Sequence, residues 1–101
     1  MGNRTMSPES RDQLIQLSAT ISTLRRIRGL SQAEFAEKAN VSRALISVIE
    51  APGIAKSFNL DIFFDIARAL EVDPADLING ADFIDKITRK KKMWFPASML
   101  L

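Results

Sequence analysis

The sequence predicts an all-α fold of five helices, and three observations carry that prediction. Apolar residues recur every three or four positions from Leu14 to Leu70, the spacing that lines one side of a helix. A capping residue (Ser7, Ser31, Ser42, Asn59 or Asp73) stands just before each periodic run. No convincing two-residue alternation of a half-buried strand occurs before the C-terminal segment.

Helix one is expected over residues 8 to 28. Ser7 can cap it, Pro8 suits its first turn, and Leu14, Leu17, Ile21, Leu24 and Ile27 form its inner stripe until Gly29 ends it. Ser31 and Glu34 have the spacing of a capping box, opening a short helix that buries Phe35, Ala36 and Ala39. Asn40 then supplies the left-handed residue that stops it. Ser42 caps a third helix with Ile46 and Ile49 inward, Leu45 at the border and Val41 plugging the turn; Pro52 and Gly53 end it. Asn59 is placed to cap a fourth helix through Leu70, burying Leu60, Phe63, Ile66, Ala67 and Leu70 with Phe64 at the edge. Asp73, Pro74 and Asp76 start a short fifth helix that stops at Asn79 and Gly80.

Composition narrows the function. A chain of 101 residues with 47% apolar composition suits one domain with a single modest core. No stretch reaches the roughly 20 apolar residues of a membrane span, and the N-terminus has neither a signal-peptide core nor a myristoylation pattern, so the expectation is a cytoplasmic protein without membrane contact. Zero cysteines and zero histidines remove disulfides, thiolate metal sites, the commonest metal ligand and the usual general base. An enzyme is therefore not expected, and no catalytic residue, metal or cofactor is assigned, although carboxylates alone could serve a hydrolase. The net charge of +2 is segregated: residues 25–56 carry 6 cations and 3 anions, residues 57–85 carry 1 and 7, and residues 86–101 carry 5 and none. Such a molecule has two electrostatic sides, of which one attracts a polyanion; the same blocks also suit ordinary solvated surface.

Residues 31 to 50 have the layout of a helix-turn-helix, two short helices around a tight turn. Ala36 is small enough to let the helices cross closely, while Phe35, Val41 and Ile46 fill the angle between them. At 3.6 residues per turn, Arg43, Ala44, Ser47 and Val48 share the face of the second helix opposite Ile46 and Ile49. Long charged side chains would serve bulk water better. Short ones let a backbone approach the floor of a groove about 12 Å wide, where Arg43 could bond guanine, Ala44 and Val48 could pack on thymine methyls, and Ser47 could bond a base edge or phosphate. Taken singly, Ala44 and Val48 also fit scattered surface apolar groups or a protein contact.

The stretches "LRRIRGLSQAEFAEKANVSRALISVIE" and "LDIFFDIARALEVDPADLI" give residues 21 to 79 a resemblance to the Cro/cI, or xenobiotic-response-element, family of bacterial helix-turn-helix regulators. Gln32, Ala36, Val41, Ser42, Ile46, Ser47 and Glu50 all fall at family positions in one register. The resemblance implies a lambda-repressor-like DNA-binding fold. It implies a phosphate contact by Gln32, a major-groove face made by Ser42, Arg43, Ala44, Ser47 and Val48, and a structural pair between Arg25 and Glu50. Two departures stand out: Asn40 replaces the usual turn glycine, and the loop "APGIAKSF", normally rich in phosphate contacts, offers chiefly Lys56 and Ser57. Added affinity would then come from Arg4, Arg11, Arg28, Lys38 or the C-terminal lysines, and from dimerisation, which places two recognition helices about 34 Å apart on a palindrome.

The expected organisation is a helix-turn-helix domain over residues 1–80 and a C-terminal extension over 81–101. The extension joins a basic run (Lys86, Arg89 to Lys92) to the apolar Met93, Trp94, Phe95, Met99, Leu100 and Leu101. It could fold back on its own helices, pair with a second copy or dock on a different protein; anchoring to an anionic membrane is the weaker option, since one short cationic-aromatic tail gives only marginal adsorption. The resulting expectation is a homodimeric, sequence-specific regulator of double-stranded DNA at a palindromic operator, acting as a repressor. Alternatives are an antitoxin that autoregulates its operon, or a protein-interaction adaptor that does not bind DNA.

Overall fold

The computed structural model describes residues 5–94, with side chains through Arg89. Arg4 and the apolar residues from Phe95 to Leu101 lie outside the described residues. Six helices follow one another: α1 (Pro8–Ile27), α2 (Gln32–Ala39), α3 (Arg43–Glu50), α4 (Leu60–Ala69), α5 (Pro74–Ile78) and α6 (Gly80–Trp94). The first five are the expected ones within a residue at each end. The fold is the expected all-α, lambda-repressor-like one, with no strand among the described residues.

Local chemistry explains most boundaries. The Ser10 amide donates to Ser7 Oγ at 3.1 Å, and Pro8 occupies the first turn, where a missing N–H costs nothing. The capping box at α2 is complete: Glu34 N–H donates to Ser31 Oγ at 3.0 Å, and Ser31 N–H donates to Glu34 Oε1 at 2.8 Å. The Ser31 N–H, and after it the Ser31 hydroxyl, favour the charged carboxylate and hold Glu34 below the usual carboxylate range. Asn40 takes the left-handed conformation, φ 56°, and its amide closes the end of α2 on Ala36 and Glu37. Glu71 does the same after α4, at φ 59°, a position that usually carries glycine.

Three expectations are corrected. Leu60 is 65% exposed rather than buried, because the apolar stripe of α4 runs out of neighbouring chain at the helix's first residue. Asn59 and Asp73 precede α4 and α5 with extended backbone but give no side-chain capping bond, so these starts rest on tertiary packing.

The core joins Ile21 and Leu24 of α1, Phe35, Ala36 and Ala39 of α2, Ile46 and Ile49 of α3, Ile66 and Ala67 of α4, Leu70 and Leu77. Burial of each large apolar side chain contributes roughly 1.5–3 kcal/mol. Arg28 ties the first helix to the fourth: its Nε donates to the Leu70 carbonyl at 2.7 Å and its Nη2 to that of Glu71 at 3.2 Å, satisfying carbonyls at the end of α4.

The sixth helix lies inside the segment whose conformation the sequence left open. It packs on α1 and α5, with Phe83, Ile84 and Ile87 partly buried against the core. Its start requires Gly80, since a Cβ there would stand 2.1 Å from Thr20 Oγ1.

Candidate nucleic-acid interface

The α2–turn–α3 unit holds its second helix from three sides. Leu45 N–H donates to Ser42 Oγ at 3.0 Å, which satisfies one free amide at the start of α3. Val41 N–H bonds the Ala36 carbonyl at 3.0 Å across the turn, while Ile46 and Ile49 are sealed in the core. At the far end, the Ser18 hydroxyl of α1 donates to the Ile49 carbonyl. Beside it, Arg25 Nε reaches Glu50 Oε2 at 2.8 Å and Arg25 Nη1 donates to the Leu30 carbonyl at 2.7 Å. The pair the resemblance implied is thus present, with side chains only 11% and 4% exposed. Its role is to anchor the last turn of α3 to α1.

This bracing leaves Arg43, Ala44, Ser47 and Val48 exposed together on the outer side of α3, Val48 at 43%. Ser42 is also exposed, its hydroxyl oxygen serving the cap while its proton remains available. A helix rigidly held from within and lean outside suits close approach of its backbone to a grooved surface.

Gln32 is only half-exposed at the first position of α2, and its amide Nε2 donates to Glu50 Oε1 at 3.2 Å. Its side-chain amide is thereby oriented by Glu50, a link that spacing alone did not reveal. Lys56 and Ser57 are exposed in the loop after α3, beyond the end of the helix opposite Arg43.

Sequence reasoning missed Arg26. It lines a small hollow of about 370 Å³ with Ser22, Gln32, Ser47 and Glu50, so a cation of α1 borders the exposed side of α3. Ser22 and Arg26 lie one turn apart on α1, a sequence signal that gains meaning only once α1 is placed beside α3. Among the described residues, Arg26, Arg43 and Lys56 make no ion pair, whereas Arg28 is committed to the end of α4 and Lys38 faces Glu71 at 3.7 Å. Arg11 leans on the same side as the loop, its Nη2 at 3.4 Å from the Gly53 carbonyl. Cations not neutralised internally therefore flank α3.

No cluster of potential metal ligands occurs among the described residues, and none of the described helices is long and apolar enough to cross a membrane. The braced unit and its lean exposed helix define a DNA-binding transcription regulator of the helix-turn-helix class. A helix-turn-helix family model matches residues 21–77, more than half of the chain, and the chain belongs to the Cro/cI-type helix-turn-helix family. That family is one of DNA-binding regulator domains and is not typically enzymatic. No curated protein matches the chain at a significant level.

Proposed function

We propose that the chain is a homodimeric repressor that reads a palindromic operator through α3 and acts in the cytoplasm by occluding a promoter. One observation carries this reading: Arg43, Ala44, Ser47 and Val48 stand exposed on a helix whose opposite side is locked into the core. Arg43, near the N-terminus of α3, supplies a bidentate donor for guanine O6 and N7. Ala44 and Val48 offer small apolar contacts for thymine methyls, and the Ser42 and Ser47 hydroxyls serve a base edge or phosphate. Gln32, Arg26, Lys56 and Ser57 contact phosphate around that helix and hold the register.

Residues 1–80 do the reading and residues 81–101 supply the contact between copies. Few cations border α3, so one protomer binds weakly and two are needed. Their recognition helices then fall about 34 Å apart on half-sites separated by one helical turn.

Selection of bound duplexes from a random pool tests the reading. The expected product is a symmetric motif with half-sites about 10 base pairs apart centre to centre. Failure to enrich any motif with the intact dimer overturns it and favours a protein-interaction adaptor.

A further inference from the structure

A mostly apolar groove of about 890 Å³ lies between α1 and the α5–α6 junction, lined by Leu14, Leu17 and Ala19 on one side and Ile78, Ala81 and Ile84 on the other. Ile78 is 66% exposed and Ala19 and Ala81 are also open to solvent, so nothing within the described residues fills it. We infer that this groove receives the segment Phe95–Leu101 of a second copy, delivered by antiparallel pairing of the two α6 helices.

Charge supports the pairing first. The charged residues of α6 that face solvent, Asp82, Asp85, Lys86 and Arg89, recur at helical spacing on one side. They are acidic toward the start of the helix and basic toward its end, and Lys90 to Lys92 extend the basic half. Two such helices running in opposite directions are self-complementary. With full overlap, Asp85 comes level with Arg89 of the second copy, and Asp82 with position 92. In the protomer Arg89 Nη2 already meets Asp85 Oδ2 at 2.9 Å, an exposed pair worth little on its own and free to rearrange. The contact is two-fold symmetric, as a closed dimer requires.

Reach supports the occupant. Fifteen residues of helix cover about 21 Å, so the chain leaves α6 that far from Gly80 and the groove. The protomer's own seven residues from Phe95 to Leu101 span at most about 25 Å, so they would spend nearly all their length doubling back along the helix. Antiparallel overlap instead brings residue 94 of the second copy beside Gly80, at the mouth of the groove. Phe95, Met99, Leu100 and Leu101 then provide apolar side chains that match the lining.

The inference deepens the homodimeric part of the proposed function and rests on it, but its test uses no DNA, so it can fail while duplex selection succeeds. The chain has no cysteine, so single introduced thiols report cleanly. Ala19→Cys and Met99→Cys full-length chains are prepared separately, mixed and oxidised. A covalent pair between the two variants should dominate, and should exceed at least tenfold the yield from Met99→Cys mixed with a Glu37→Cys control on α2. A yield no greater than the control overturns the inference. So does a chain carrying both Ala19→Cys and Met99→Cys that closes only within itself at every concentration. In sedimentation, ending the chain after Trp94 should raise the dimer dissociation constant at least tenfold; an unchanged constant also overturns it.

Discussion

Arg25 and Glu50, 25 residues apart in sequence, meet at 2.8 Å in an almost fully covered ion pair that binds the end of α3 to α1. The same carboxylate accepts from Gln32 at 3.2 Å, so one side chain gathers α1, α2 and α3. Removing one member of a covered pair leaves a charge without its partner, which costs more than the pair itself is worth. Glu50→Ala should therefore lower the unfolding free energy by about 3 kcal/mol in urea titration. Arg25→Met with Glu50→Leu should lose much less than the two single changes summed; additive losses would show that the two residues act independently.

Glu71 occupies a left-handed position after α4 that glycine adopts without steric cost. The carbonyl bonded by Arg28 is backbone and survives substitution, and the 3.7 Å approach of Lys38 is exposed and weak. Glu71→Gly should raise stability by about 0.5–1 kcal/mol, read as a higher urea midpoint with an unchanged slope. A lower midpoint would mean that the side chain contributes more than its backbone costs.

Gly80 starts α6 against Thr20, where a Cβ would collide with the side chain at 2.1–2.8 Å. Gly80→Ala should cost about 1–3 kcal/mol by forcing α6 away from α1. Thr20→Ala in the same chain should recover only part of it, since the two Cβ atoms would still crowd each other. Thermal unfolding of the three variants checks the order, and an unperturbed Gly80→Ala chain would show that α6 is not seated on α1.

Much of this fold is legible in the residues because its signals are local. The Ser31–Glu34 box and the Asn40 stop depend on neighbours three or four positions away, and both are present where the spacing put them. Leu60 shows the limit of such signals: periodicity gives a stripe but not where the covering element ends. Phe83, Ile84 and Ile87 have the spacing of a helix packed on one side, a signal masked in the sequence by the charged run from Lys86 onward. The exposed set on α3 follows from helical geometry alone. The place of Arg26 beside Gln32 and Ser47 does not, because it depends on how α1 crosses the other two helices.

That location gives Arg26 a distinct signature in binding. A phosphate contact contributes to every sequence alike and through counterion release, so Arg26→Ala should weaken operator and random duplexes by similar factors. The slope of log affinity against log salt should fall by about 1 per protomer. Loss confined to the operator would instead make Arg26 a base contact.

The central claim is that the outer side of α3 enters the major groove. It is tested most directly by replacing guanine with 7-deazaguanine, one position at a time, in the selected duplex, which deletes the N7 acceptor and leaves base pairing intact. At one guanine per half-site the intact protein should bind about tenfold more weakly, roughly 1.4 kcal/mol, while the Arg43→Ala protein should not distinguish the two duplexes. Equal binding by the intact protein to every substituted duplex would contradict Arg43 readout of guanine in that groove.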